Sequence, residues 1–340
     1  MMSKWLGVGS LATVVLTGGL QLASAEVNIY SARTEALIKP LLDKFTVQTG
    51  IEVNLVSGGD DELISRLRIE GSKSRADLLI TADAGRLHRA KALNLLGELH
   101  SELIDAKVPA NLRDADGTWI GLTMRARPIF YRKSKVDPAQ LSTYEALTDA
   151  QWAGRICIRS SSNIYNQSLI ASLIASDGAA AAETFAKGLV ANLAKPPAGG
   201  DTDQLKAAAA GVCDLAIANT YYFGRLVDSD SAEDRQVAEQ LGVFWPNQAD
   251  RGTHVNISGI ALTRSAKNTA EAVALVEFML TAEAQNWYSE VNSEYPIVSG
   301  VEPSATLAGL GAFKADALNL TLLGENNRAA VELMDRAGWK

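Results

Sequence analysis

The sequence predicts an α/β protein of two lobes, on three observations. Short apolar runs alternate with amphipathic helical patterns, which is the signature of βαβ units and a mostly parallel sheet. The chain beyond residue 25 is longer than one hydrophobic core usually organises. Two extended segments, around residues 119–132 and 255–263, lie far apart on either side of a block that carries strands and helices of its own.

The first 25 residues stand outside that fold. Lys4 supplies a charged start, Leu6 to Leu22 an apolar stretch, and Ala23-Ser24-Ala25 a small-residue cleavage site before Glu26. Gly7, Gly9, Gly18, Gly19 and Gln21 interrupt the stretch, which reads as a secretory signal over 1–25 rather than a membrane anchor. The exported chain then keeps 315 of the 340 residues.

Val27 to Tyr30 is a short strand, followed by a helix from about Glu35 to Gly50 with Leu37, Ile38, Leu41, Leu42 and Phe45 at helical spacing. Ile51 to Val56 alternates as a second strand. Gly58-Gly59-Asp60-Asp61 turns into a helix, Glu62 to Glu70, that Gly71 ends. Asp77 to Thr81 is a buried strand and Ala84 to Ala92 a helix. Trp119 to Met124 and Pro128 to Arg132 read as a strand pair broken at Arg125-Ala126-Arg127, and Val255 to Thr263 as the later extended segment. Two such segments are what hinge strands between lobes would look like, with Ser134 to Asp250 inserted as the second lobe. Inside it lie strands near Ile156 and Ala216, a loop at Lys195 to Asp201 and an alanine-rich helix from Thr202 to Gly211. Ala270 to Leu280 and Ala282 to Tyr288 are helices, Asn292 to Pro296 a loop, and the tail to Lys340 is helical. The expected lobes are therefore 26–126 plus 256–300 and 127–255 plus 301–340.

Net charge is −7 for the whole chain and −8 once the leader with its single Lys4 is removed. An acidic chain is a poor match for nucleic acid or an anionic membrane and is compatible with a cationic ligand. Cys157 and Cys213 are the only cysteines, too few for a thiolate metal cluster. Export permits a disulfide between them, and their strand-like runs lead into the two tyrosine segments described next; two buried free thiols are the alternative.

Asn219-Thr220-Tyr221-Tyr222-Phe223-Gly224-Arg225 follows the apolar run Leu215 to Ala218. In a strand, adjacent tyrosines would point to opposite faces, whereas in the first turn of a helix they lie about 100° apart and both hydroxyls reach one small target. Asn219 or Thr220 would cap that helix, and its positive end favours phenolate over phenol. Tyr165 sits in a second strand-to-helix junction, Arg159-Ser160-Ser161-Ser162-Asn163-Ile164-Tyr165, whose hydroxyls and free N–H groups suit an anion. Ligands of open α/β sheets bind at such edges. Three phenol oxygens suit a hard cation such as Fe(III), whereas zinc or copper sites recruit His or Cys. His88, His100 and His254 are scattered along the chain and read as structural. Three phenolates balance Fe(III) in charge but leave its coordination incomplete, which calls for an anion or water.

No Gly-x-Ser-x-Gly elbow, Gly-x-Gly-x-x-Gly loop, P-loop or His-Glu-x-x-His motif occurs, so the residues offer no enzyme reading. Asp60-Asp61-Glu62 reads as a turn entering a helix rather than as catalytic carboxylates.

Tyr30-Ser31-Ala32-Arg33, Gln48-Thr49-Gly50-Ile51-Glu52-Val53, Ala76-Asp77-Leu78-Leu79, Ser160 to Tyr165 and Asn219 to Arg225 together resemble the ferric-ion-binding periplasmic proteins of bacterial ABC importers. The match runs in order from about Val27 to Pro296. It implies a bilobal periplasmic-binding-protein fold of type II, two α/β lobes joined by two hinge strands. It also implies Fe(III) held in the cleft by Tyr165, Tyr221 and Tyr222, and delivery by a periplasmic monomer to an inner-membrane ABC permease. Some members place His or His-Tyr after the first motif, where this chain has Thr34-Glu35. Either Glu35 is a ligand or a synergistic anion such as carbonate fills the gap. The second is preferred, with Arg33, Arg125, Ser160 and Ser161 as candidate contacts. Fe(II) or a small organic solute is the alternative cargo on the same fold, the latter with Trp119 or Trp245 as stacking walls.

Overall fold

A computed structural model describes residues 25–340. The secretory signal read over 1–25 lies, but for Ala25, outside the described residues. Ten strands form two sheets: β1 (Glu26–Ser31), β2 (Glu52–Ser57), β3 (Leu78–Ala82), β4 (Trp119–Ala126), β5 (Ile129–Arg132), β6 (Ile156–Cys157), β7 (Leu215–Ile217), β8 (Leu241–Phe244), β9 (Val255–Leu262) and β10 (Tyr295–Pro296). The six-stranded sheet runs β10-β4-β9-β3-β1-β2 and the four-stranded sheet β6-β7-β5-β8. The fold is thus bilobal α/β, one sheet to each lobe.

In the six-stranded sheet the expected parallel arrangement holds only for the first three strands; in the four-stranded sheet only β6 and β7 pair in parallel. β1 pairs in parallel with β2 and β3, the product of consecutive βα units. β9 pairs antiparallel with both β3 and β4, and β10 antiparallel with β4. These later strands return from long excursions rather than from single crossover helices, so nothing imposes the parallel direction on them. β4 and β5, expected to pair with each other, do not: β5 pairs with β7 and β8 in the other sheet. Arg125 and Ala126 belong to β4, and only Arg127 and Pro128 separate the two strands. The chain passes back between sheets where β8 gives way to β9, and the two crossings are tied by Arg127 N–H donating to the His254 carbonyl at 3.1 Å.

All eight residues of β9 are buried, and Gly259 lets the helix Ala84–Ala92 approach: a Cβ there would stand 2.5 Å from Leu87 Cδ1 and 2.6 Å from the Ile120 carbonyl. The helix expected from Glu35 is two pieces, a 3-10 turn Glu35–Leu37 and the α-helix Lys39–Thr49, with Ile38 at φ −133° between them. Pro40 in the first turn accounts for the restart. The helix expected from Glu62 begins two residues earlier, at Asp60, so that Asp60 and Asp61 form its first turn rather than the turn before it. The stretch Asn292 to Pro296, expected as a loop, ends in β10. The tail packs on both lobes: the helix Thr321–Glu325 lies against Ala84–Ala92 and against Ile164–Asp177.

Candidate functional site

β6 and β7 are parallel neighbours in the four-stranded sheet, and each runs into a helix at the same edge. A disulfide between Cys157 and Cys213 joins the two strand regions. After β6 comes the helix Ile164–Asp177, capped by Asn163, whose side chain accepts from Tyr165 N–H at 3.0 Å. After β7 comes Thr220–Val227, with Asn219 at its cap position. Tyr165, Tyr221 and Tyr222 all stand in first turns. The Tyr221 hydroxyl donates to Tyr165 Oη at 3.1 Å, and the Tyr221 and Tyr222 rings lie 4.2 Å apart. The structure therefore brings the three expected tyrosines together.

Neither expected cap works through its own side chain. The Asn219 carboxamide oxygen accepts instead from Arg127 Nη1 at 3.0 Å, and Thr220 Oγ1 from Ala126 N–H at 3.3 Å. Arg127, fully buried, also donates to Asp201 at 2.7 Å and to Asn166, the neighbour of Tyr165, at 2.7 Å. One hinge side chain thus fixes the starts of both tyrosine helices.

Four guanidiniums surround the phenols or back them. Arg125 and Arg159 each lie 5.7 Å from the Tyr165 ring, and Arg225 lies 5.1 Å from that of Tyr221. Arg125 is buried, donates through Nη1 to Ser258 Oγ at 2.6 Å, and leaves Nε and Nη2 without a partner among the described residues. The expectation that helix ends ease deprotonation is overturned. Burial pushes the Tyr165 phenol up to about 12, against the opposing pull of Arg125, and raises Tyr221 well above the usual tyrosine range. Both are neutral phenols at neutral pH, because desolvation outweighs the partial charge of a helix end.

The other candidates divide. Arg33 is held by Glu294 at 2.7 Å. Ser160 pairs with Ser162 at 3.0 Å, and Ser161 donates to the Trp339 carbonyl at 2.7 Å. Glu35 is exposed, and its carboxylate makes no hydrogen bond or ion pair among the described residues. Tyr30 turns away, donating to Glu70 at 2.8 Å. Trp119 is buried within β4 and Trp245 stacks on Phe313 at 4.1 Å, so neither is a wall for an organic solute. Among the described residues no group of three or more His, Cys, Asp or Glu side chains is placed to hold a metal, which leaves the phenols as the convergent oxygen donors.

Sequence reasoning missed Asp83, Glu294 and Arg127. Asp83 is an isolated acidic residue among apolar neighbours, Glu294 lies in a polar Asn-Ser-Glu stretch read as loop, and Arg127 was visible only as part of a break between strands. An Arg-Ala-Arg step inside an otherwise buried extended segment is the signal that points to buried ion pairs.

Residues 41–316 match the family described as bacterial extracellular solute-binding protein. The chain belongs to that family. Among its relatives, iron uptake protein A1 of Synechocystis is 44% identical over 99% of this chain and 98% of its own length. The major ferric iron-binding protein of Neisseria meningitidis is 28% identical over 94% of each. A solved Trichodesmium FutA (IdiA), described as a complex with iron and citrate ligands, superposes with a TM-score of 0.91 at 49% identity, covering 93% of this chain and 100% of that one. The two sequence relatives carry names of iron uptake and ferric iron-binding proteins, and the solved one shares the fold described above.

Proposed function

We propose that the protein captures Fe(III) between its lobes through the phenolates of Tyr165, Tyr221 and Tyr222 and hands it to an inner-membrane ABC permease. The observation that carries this reading is the convergence of the three tyrosines at adjacent helix starts, with the 3.1 Å contact between Tyr221 and Tyr165 hydroxyls. The iron-binding names of the relatives support the same cargo.

The site works by proton exchange. Each phenol gives up its proton as it takes the metal, and the trivalent charge drives a deprotonation that burial otherwise opposes. Arg125 stabilises the resulting negative charge and offers open N–H groups to an anion such as carbonate, which completes the coordination sphere in place of a ligand from Glu35. The residues 26–126 plus 256–300 form the lobe opposite the tyrosines in this proposal, and 127–255 plus 301–340 the tyrosine lobe. Closure about the two crossings buries the ion, and the permease favours the open state. The protein works as an exported monomer, its leader being residues 1–25.

The test is the visible spectrum of the mature chain titrated with ferric citrate at neutral pH, beside Tyr221→Phe and Tyr222→Phe. A saturable charge-transfer band at one iron per chain, lost or shifted in the variants, is the expected result. A folded wild-type protein without a band would reject Fe(III)-phenolate binding in favour of Fe(II) or an organic solute.

A further inference from the structure

A second charge cluster lies behind the tyrosines, in the six-stranded sheet. Glu294 Oε2 accepts from Arg33 Nη2 at 2.7 Å and from the Thr123 hydroxyl. Its other oxygen accepts from Ser258 Oγ at 3.2 Å, and Ser258 in turn accepts from Arg125 Nη1 at 2.6 Å. A continuous polar path therefore runs from Arg33 through Glu294 and Ser258 to Arg125, whose guanidinium faces Tyr165. Arg33 and Glu294 are 9% and 6% exposed, so neither is compensated by bulk water.

Charge counting gives this path a consequence, which rests on the tyrosinate reading above. Three phenolates neutralise Fe(III), and within the buried path, setting aside the more exposed Arg159 and Arg225, one carboxylate between two guanidiniums leaves a single positive charge. We propose that Glu294 is the site's resident anion: by occupying Arg33 it leaves Arg125 as the buried guanidinium at the tyrosines with open N–H groups, and so sets the cleft to take one exogenous anion of low charge. Without Glu294, Arg33 and Arg125 would act as a pair and favour an anion of higher charge.

The experiment compares wild type with Glu294→Gln, Glu294→Asp and Arg33→Gln, each checked for folding by thermal melt. Iron affinity is read by chelator competition, and the phenolate band is read in parallel, across a series of bicarbonate or inorganic phosphate concentrations. In wild type the affinity is expected to rise about tenfold per tenfold rise in bicarbonate, one anion per iron. Glu294→Gln is expected to gain on the order of tenfold in phosphate relative to bicarbonate, the effect of one charge at a screened distance, and Glu294→Asp to restore the wild-type order. Arg33→Gln frees Glu294 to neutralise Arg125 and is expected to flatten the bicarbonate dependence; this arm decides the matter if Glu294→Gln does not fold. Folded variants that keep both the band and the wild-type anion dependence would overturn the proposal and leave a purely structural ion pair. Absence of the band in wild type would instead reject the tyrosinate reading, a distinguishable failure.

Discussion

Asp83 accepts a 2.7 Å hydrogen bond from the hydroxyl of Ser168, a bond between the two lobes three residues from Tyr165. Asp83 follows β3 at φ 86°, a conformation that non-glycine residues rarely adopt. Its second oxygen accepts from Asn256 of the β9 crossing at 2.9 Å. The residue joins the hinge to the helix that carries Tyr165.

Ser168→Ala is expected to loosen the closed state. Loss of one buried hydrogen bond is worth about 1 kcal/mol, so iron release should quicken about fivefold while capture is unchanged. Stopped-flow release into excess chelator measures it, and an unchanged release rate would show that the contact does not hold the lobes together.

Iron affinity at fixed free Fe(III) should fall steeply in acid. Burial pushes the Tyr165 phenol up to about 12 and raises Tyr221 well above the usual tyrosine range, so at neutral pH each phenolate formed releases a proton. Three ligands give about three decades of affinity per pH unit. The raised pKa values also stabilise the iron-free fold below about pH 10, the unfolded tyrosine value, and that stability is lost as pH rises through the folded values. Proton release on iron binding, measured calorimetrically in two buffers, gives the count directly; a count near zero would remove the phenols from the coordination sphere.

Replacing Cys157 and Cys213 together by alanine opens a link across 56 residues. Loop-closure entropy puts the cost near 4 kcal/mol. The denaturant midpoint should drop accordingly. A second effect is expected on iron: with β6 and β7 no longer joined, the two tyrosine helices lose a shared anchor and the affinity falls.

Arg127→Leu should be more damaging than any surface ion-pair loss. It leaves Asp201, fully buried, with Arg159 at 3.7 Å as its remaining cation, and frees the side-chain oxygens of both Asn166 and Asn219. Breaking a buried pair from one side typically costs about 3–5 kcal/mol. Thermal unfolding of the iron-free protein tests this, with Arg251→Leu, whose partners Glu145 and Asp177 are both partly exposed, as the milder comparison.

The meeting of the three tyrosines was legible because a Tyr-Tyr pair after an apolar run has few uses and because strand-to-helix junctions announce themselves through Asn, Ser and Thr. The first βα units were legible for the same local reasons. What failed was what depends on the return of distant chain: the antiparallel strands β9 and β10, and the partners of Arg33, Arg127 and Asp83, which lie 261, 74 and 85 residues away. The phenol pKa values were misjudged because a helix end can be read from local pattern, whereas burial depends on the whole fold.

Trp245 follows β8 of one sheet, Tyr295 opens β10 of the other, and Phe313 of the tail stacks on the first at 4.1 Å and meets the second edge-on at 5.5 Å. A rotation of one lobe against the other is expected to change at least one of these two contacts. The indole of Trp245 is therefore a native optical gauge of hinge angle, and its emission can time opening and closing without a dye, even when no iron is present to give a colour.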